Sequence, residues 1–361
     1  MRVVVVGATG NIGTAVLRRL VDGHEFDEIT GVARRRPSTS AGWPYDQVRW
    51  HKLDVGSPDA AASLTNLFAG AAAVIHLAWQ IQPSHDRAQI RQTNVTGTAN
   101  VIAAAVAASV PTLLVASSVG AYAPAPKEKR VDEVWPATGV PGSTYSRDKA
   151  DVEAMLDVVE AEQPQMRIVR IRNALAFQRV AAAEIARLFI GPFAPLGLLR
   201  LGRLPLLPSS PSLRIQAVHA DDVAEAYARA ILAQARGPYN IAAEPVLDAE
   251  SVGARFHGWA VPIPPLLLQG AAALTWTARL QPTEPGWVRL AARSPLMSCR
   301  RAEADLGWRA RTDALDALAE LLDGMADGAG DGSPPLRERP GAAARLMAVA
   351  RGRLPGHSAA D

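Results

Sequence analysis

RVVVVGATGNIG, at positions 2–13, decides how the rest of the chain is read. Four consecutive valines after Arg2 are what a strand buried on both faces of a parallel sheet requires. A glycine-rich turn follows at once, and then a helical apolar pattern through Val16, Leu17, Leu20 and Val21. In this setting Gly7 makes the tight turn, Gly10 lets the backbone approach a pyrophosphate, and Gly13 permits close helix–strand contact. The free amides and dipole of the helix N-terminus suit a pyrophosphate. Gly7, Thr9, Gly10, Asn11, Ile12 and Gly13 are therefore candidate cofactor-binding residues.

Outward from that turn, residues 28–33, 48–53, 73–77, 112–116 and 167–171 read as further strands. Helical patterns at about 88–108 and 145–162 separate the later ones. Strands alternating with helices of this length imply a parallel sheet with right-handed crossovers. The expected fold class is α/β, a Rossmann-type doubly wound sheet over residues 1–176, with a smaller substrate-binding region at 177–323. Residues 213–218 and 239–242 read as strands and 221–234 as a helix, and some segments of that region are expected to return to the sheet. Segment 191–213, rich in Gly, Pro and Leu, reads as an apolar loop. Residues 259–278 carry no charge, but three prolines crowd the start, so a packed helix is expected and not a bilayer span. From Gly324 onward Gly, Pro, Ala, Asp and Arg dominate, and a dispensable disordered tail is expected over 324–361.

Composition narrows the function classes. Of 361 residues 48% are hydrophobic, enough for a large core, and the net charge is only +3. Lysine occurs at positions 52, 127, 129 and 149 alone, and no basic run is interleaved with aromatics, so nucleic acid is not an expected partner. The single cysteine, Cys299, excludes an internal disulfide and a multi-cysteine metal site, and no metal site is expected. A strand starting at Arg2 leaves no room for a signal peptide, so a cytoplasmic location without a membrane partner is expected.

The end of the second strand bears on the cofactor. An NAD site usually places an acid there for the adenosine ribose. Here Gly31-Val32-Ala33 runs into Arg34-Arg35-Arg36, with no acid until Asp46. A guanidinium pairs with a 2′-phosphate where a carboxylate would repel it. Arg34 and Arg35 thus point to NADP, with NAD as the alternative.

Several motifs, in order, give the chain a specific resemblance. GATGNIG at 7–13 is followed by Asp54-Val55, His76-Leu77-Ala78, Asn94-Val95-Thr96-Gly97-Thr98, Ser117-Ser118-Val119-Gly120-Ala121-Tyr122, Tyr145-Ser146-Arg147-Asp148-Lys149, Arg170-Ile171-Arg172-Asn173 and His219-Ala220-Asp221-Asp222-Val223. Over residues 1–323 the chain resembles the extended short-chain dehydrogenase/reductases, the NAD-dependent epimerase/dehydratase family. The resemblance implies Ser118, Tyr145 and Lys149 as catalytic residues. It implies Asp54, Val55, Leu77, Ala78 and Asn94 as cofactor contacts, together with Tyr145 and Lys149, and Asn173 as a substrate contact. Trp79 stands where the family pattern has a second alanine.

The chemistry of those residues is coherent. Tyr145 and Lys149 are four apart on a predicted helix and share a face. A phenol with a pKa near 10 is a poor catalyst at neutral pH, and a nearby ammonium is expected to lower it. Lys149 is also placed to hydrogen-bond the nicotinamide ribose. Ser118 ends the fifth strand, where open parallel sheets bind ligands, with Ser117 as the competing candidate. Val119-Gly120 replace the acidic pair of the family's dehydratases. Ile215 stands where its epimerases carry a phosphate-binding arginine, and Arg214 is one residue out of register, which on a strand reverses the face. Arg200 and Arg203 remain candidates for that charge. With the apolar stretch 189–208, these features imply an NADP-dependent oxidoreductase acting on a carbonyl or secondary alcohol of a moderately apolar small molecule. A UDP-sugar 4-epimerase and a non-catalytic NADP-binding regulator are the alternatives, and a homodimer paired through helices 88–108 and 145–162 is expected.

Overall fold

A computed structural model describes residues 1–82, 85–190, 196–202, 204, 206–278 and 284–338. Seven strands form the central sheet: β1 (Arg2–Val6), β2 (Glu28–Ala33), β3 (Arg49–Lys52), β4 (Ala73–His76), β5 (Thr112–Ala116), β6 (Arg167–Asn173) and β7 (Gly237–Ile241). Their order is β7-β6-β5-β4-β1-β2-β3, and every pairing is parallel. The period of two is visible in the core. Val3 and Val5 enter one apolar cluster, while Val4 and Val6 enter the other on the opposite face. Both faces are covered, which is why the run reads as unbroken valine. The strand order reverses beside β1, and the carboxyl ends of β1 and β4 open there into a crevice.

The long helix expected at 88–108 is a helix Arg87–Arg91, a π-helical turn Gln92–Thr96 and a helix Gly97–Ala107. The widened turn has a purpose. It carries Asn94, whose side chain accepts from the Gln80 amide at 2.7 Å and donates to the Gln80 carbonyl at 2.9 Å. A side-chain bond of this kind gives no periodic signal, so apolar periodicity alone shows one helix.

Residues 259–278 form a strand Trp259–Pro262, paired with Leu206–Ser209, and a helix Pro265–Thr277 that packs on helix Pro285–Arg293 by one side and leaves Leu266 and Leu274 78% and 73% exposed on the other. Among the described residues no helix is long and apolar enough to cross a membrane. One other expectation needs correction: the tail from Gly324 is not disordered up to residue 338. Helix Ala314–Asp327 runs through Gly324, and the chain then folds back onto the glycine turn. There Ser333 Oγ donates to the Thr9 carbonyl at 2.5 Å, Tyr45 donates to Asp331 at 3.0 Å, and Leu336 is fully buried. One leucine and a few hydrogen bonds between distant residues leave no local pattern. Residues 339–361 lie outside the described residues.

Candidate active site

The crevice at the ends of β1 and β4 is a cavity of about 780 Å³ that runs from the glycine turn to the aromatic side chains around Tyr145. Gly7, Thr9, Gly10, Asn11, Ile12 and Gly13 all line it. The glycines meet the two requirements of a phosphate turn. A Cβ on Gly7, at φ +84°, would lie 2.4 Å from the Ala78 nitrogen, and one on Gly13 would lie 2.4 Å from the Gly7 oxygen. At Gly10 the nearest atom would be 3.7 Å away, and this residue caps helix Asn11–Asp22 with no side chain over its amides. The turn is closed where the protein packs and open where an anion approaches, so the residues fit a dinucleotide pyrophosphate.

Arg34, Arg35, Val55, Leu77 and Ala78 line the same cavity. Arg34 reaches Gln80 Oε1 at 3.3 Å. One acid that the sequence reading missed, Glu184, comes in from the short helix Ala182–Ile185 and lines the wall near Arg35. Burial pushes its carboxyl up to about 7, against the pull of Arg187 and Arg35. No spacing rule links position 184 to position 35. Asp54 is different: its Oδ1 accepts from the Gly56 amide at 2.9 Å and its side chain is exposed, outside the cavity lining. Asn94, fastened to Gln80, also stands behind the wall, and orients the Trp79–Gln80 backbone.

At the other end, helix Thr144–Glu162 presents Tyr145 to the cavity, anchored by Asp148, which is fully buried against Arg87 and Arg91. Gly120 explains the residue that follows Val119. A Cβ there would lie 2.8 Å from Tyr145 Cε1, so a side chain at 120 would drive the phenol out. The two serines separate cleanly. Ser117 donates to Glu153 Oε1 at 2.5 Å, within a buried network in which Arg172 holds both Glu153 oxygens at 2.8 Å. Ser118 lines the cavity beside Tyr145 and accepts from the Gly120 amide at 3.0 Å.

The electrostatics depart from the sequence expectation. Burial pushes the Tyr145 phenol up to about 12, with Ser118 pulling it down. Lys149 does not hold the phenol down. Its ammonium donates to the Ala116 carbonyl at 2.7 Å and lies 3.4 Å from the centroid of the Trp79 ring, outside the cavity lining. Burial lowers Lys149 to about 7, opposed by Glu153 and Asp148. Trp79 is the cause, because its indole occupies the space between Lys149 and the cavity that an alanine would leave open. At that value the phenol keeps its proton at neutral pH and can donate a hydrogen bond to a carbonyl oxygen, but it is a weaker acid than a free tyrosine.

Around Tyr145 the wall is aromatic and apolar. Its ring meets Trp287 at 4.7 Å and the edge of Trp79 at 5.9 Å, and Phe189 stands edge-on to Trp287 at 5.0 Å. Trp287, from helix Pro285–Arg293, had no motif to announce it. Its helix is fastened by buried Lys127, which donates to the carbonyls of Ala291, Ser294 and Arg214 at 2.9, 2.6 and 2.8 Å. Ile215 lines the cavity and Arg214 does not, but Gln216 lines it as well and the strand begins only at Ala217, so strand alternation does not account for the difference. Arg200 pairs with Asp327 at 3.3 Å, and Arg203 lies outside the described residues. Asn173 lines the cavity with its Oδ1 buried and unpaired, a free acceptor for a bound molecule.

The fold, the turn and the order of motifs meet in one comparison: a family model for the NAD dependent epimerase/dehydratase family matches residues 3–242. The chain belongs to that family. Among epimerase/dehydratase relatives, L-arabinose 1-dehydrogenase (NAD(P)(+)) of Haloferax volcanii is 34% identical over 117 residues, 32% of this chain and 41% of that protein. The decarboxylating sterol-4-alpha-carboxylate 3-dehydrogenase of Saccharomyces cerevisiae is 29% identical over 168 residues, 45% of this chain and 46% of that one. The chain thus spans less than half the length of these two relatives. The UDP-glucose 4-epimerase of Thermus thermophilus, solved with NAD, superposes with a TM-score of 0.64 at 21% identity, covering 90% of this chain and 99% of that one. At that identity the likeness carries the fold alone.

Proposed function

We propose that this epimerase/dehydratase family member is an NADP(H)-dependent oxidoreductase of the cytoplasm. It would interconvert a carbonyl and a secondary alcohol on a moderately apolar small molecule. The observation that carries the reading is the position of Tyr145. A neutral phenol stands with Ser118 in the lining of one cavity that a dinucleotide-shaped turn and an aromatic, charge-poor wall share.

A nicotinamide dinucleotide bound there supplies or accepts the hydride. The protein's part is to hold, orient and move a proton. The amides of the 10–13 turn and the guanidinium groups of Arg34 and Arg35 hold the phosphates. Ser118 fixes the reacting oxygen in line with Tyr145, whose phenol gives its proton to a carbonyl oxygen and whose phenolate, in the reverse direction, takes one from the alcohol. Lys149 acts as a positioning residue: it braces the Ala116 carbonyl and the Trp79 ring. Trp79, Phe189, Ile215 and Trp287 exclude water and bury the apolar part of the substrate, at about 25 cal/mol per Å². Asn173 offers its free Oδ1.

The UDP-sugar alternative asks for a charged partner for a diphosphate on the substrate side. Ile215 occupies that wall, and Arg214 points to Asp248 at 3.9 Å. A homodimer through helices Gly97–Ala107 and Thr144–Glu162 belongs to the same proposal. The test is NADPH oxidation by the full chain with a panel of cyclic and alkyl ketones, against Tyr145→Phe, which should turn over at least ~100-fold more slowly. Calorimetric titration with UDP-glucose and UDP-galactose should show weak binding. Micromolar binding of either sugar nucleotide would put the epimerase first.

A further inference from the structure

The segment that folds back over the glycine turn brings a guanidinium of its own to the end of β2. Arg187 donates to the carbonyls of Pro335 and Arg337, the latter at 3.1 Å, so this part of the segment is held against the helical stretch that carries Glu184. Pro335, Glu184 and Arg35 all line the cavity. Burial lowers the Arg35 guanidinium, Arg34 and Arg337 lower it further, and Glu184 opposes them. Arg187 is lowered by burial too, with Glu184 opposing and Arg337 and Arg35 adding to the fall. Arg337 therefore carries its charge close to both arginines, although it is far from both in sequence.

Little in the protein answers these charges. Arg34 spends one nitrogen on Gln80 at 3.3 Å. Among the described residues the side chains of Arg35 and Arg337 make no hydrogen bond and no ion pair. Glu184 is the acid that acts on both Arg35 and Arg187, and burial pushes its carboxyl up to about 7. At neutral pH it cancels only part of one positive charge. Like charges gathered in this way repel, and a bound anion relieves the repulsion. The place selects the anion. The carboxyl end of β2 is where the adenosine ribose of a dinucleotide lies in a fold of this kind. A phosphate monoester on the ribose 2′-oxygen carries about two negative charges and three acceptor oxygens, which suit guanidinium forks.

We infer that Arg337, from the C-terminal segment, joins Arg35 in binding the 2′-phosphate of NADP(H). The inference rests on the NADP reading proposed above and deepens it. Preference for the phosphorylated cofactor is set partly by a residue beyond the family match at 3–242, in a stretch whose composition marks a dispensable tail. The segment then has two separable roles. Ser333 and Leu336 dock it on the turn, which serves NADPH and NADH alike, and Arg337 reads the phosphate that only NADPH carries.

Calorimetric titration of the full-length protein with 2′,5′-ADP and with 5′-ADP reads the 2′-phosphate without any reaction. The expected result is tighter binding of 2′,5′-ADP by the wild type. In Arg337→Gln that affinity should be about 10-fold lower, the low end for hydrogen bonds to a charged group. Affinity for 5′-ADP and the melting temperature should not change, since the Arg337 side chain has no partner among the described residues. Arg337→Lys, which keeps the charge, should recover part of the loss. Equal losses for the two nucleotides overturn the inference, because Arg337 then acts only through the docking of the segment. A preference for 2′,5′-ADP that Arg337→Gln leaves intact and Arg34→Ala/Arg35→Ala abolishes also overturns it, while sparing the NADP reading. Equal binding of the two nucleotides by the wild type overturns both.

Discussion

Leu336→Ala asks whether the chain after Gly328 is part of the cofactor site. Leu336 has no exposed surface, and around it the 328–338 segment bonds the Thr9 carbonyl through Ser333 and Tyr45 through Asp331. Arg187 grips the Pro335 and Arg337 carbonyls, and Pro335 itself lines the cavity. Removing three buried carbons from a leucine costs about 2–5 kcal/mol where the site cannot collapse. Domains of ~150–250 residues lose about 2–4 °C in melting temperature per kcal/mol. A drop of roughly 4 °C or more is therefore expected by differential scanning fluorimetry, unless the strap undocks at a smaller cost. Undocking frees the Thr9 turn, so NADPH affinity should fall with it. A loss of 2 kcal/mol would weaken binding by about 30-fold, at 1.4 kcal/mol per decade. Fluorescence titration with NADPH reads that directly. Unchanged melting together with unchanged affinity would refute the reasoning and make the segment a passive covering.

Replacing Arg34 and Arg35 together with alanine should weaken NADPH binding far more than NADH binding, because only the former carries the 2′-phosphate. Equal losses on titration would make the pair a solvated face and remove the cofactor preference. Glu184 should give NADP(H) binding a pH dependence. Its folded pKa is raised from 4.5 to about 7, so it stays protonated where the unfolded chain ionises. Its contribution to stability is therefore full below about 4.5 and lost as pH rises through about 7. Over the same rise its carboxylate forms near Arg35 and opposes the phosphate, so NADPH affinity should fall between about pH 6 and pH 8. Glu184→Gln should flatten that profile, and an unaltered slope would place the carboxyl too far from the phosphate to matter.

The sequence alone determined what depends on neighbours along the chain. RVVVVGATGNIG is a strand, a phosphate turn and a helix start, because valine runs, glycine φ values and open helix amides are local physics. The motif order carried the family. The family pattern favoured Ser118 over Ser117, and the fold supplies the physical reason in Glu153, thirty-six residues on, which takes the Ser117 hydroxyl. Tertiary structure also decided that Trp79 sits between Lys149 and the cavity, and that burial outweighs any ammonium in setting the Tyr145 proton. It brought Glu184 beside Arg35, Trp287 beside Tyr145, and Ser333 onto Thr9. Each of these joins residues far apart in sequence, and their energy comes from desolvation and packing in the folded chain, which no periodicity or spacing records.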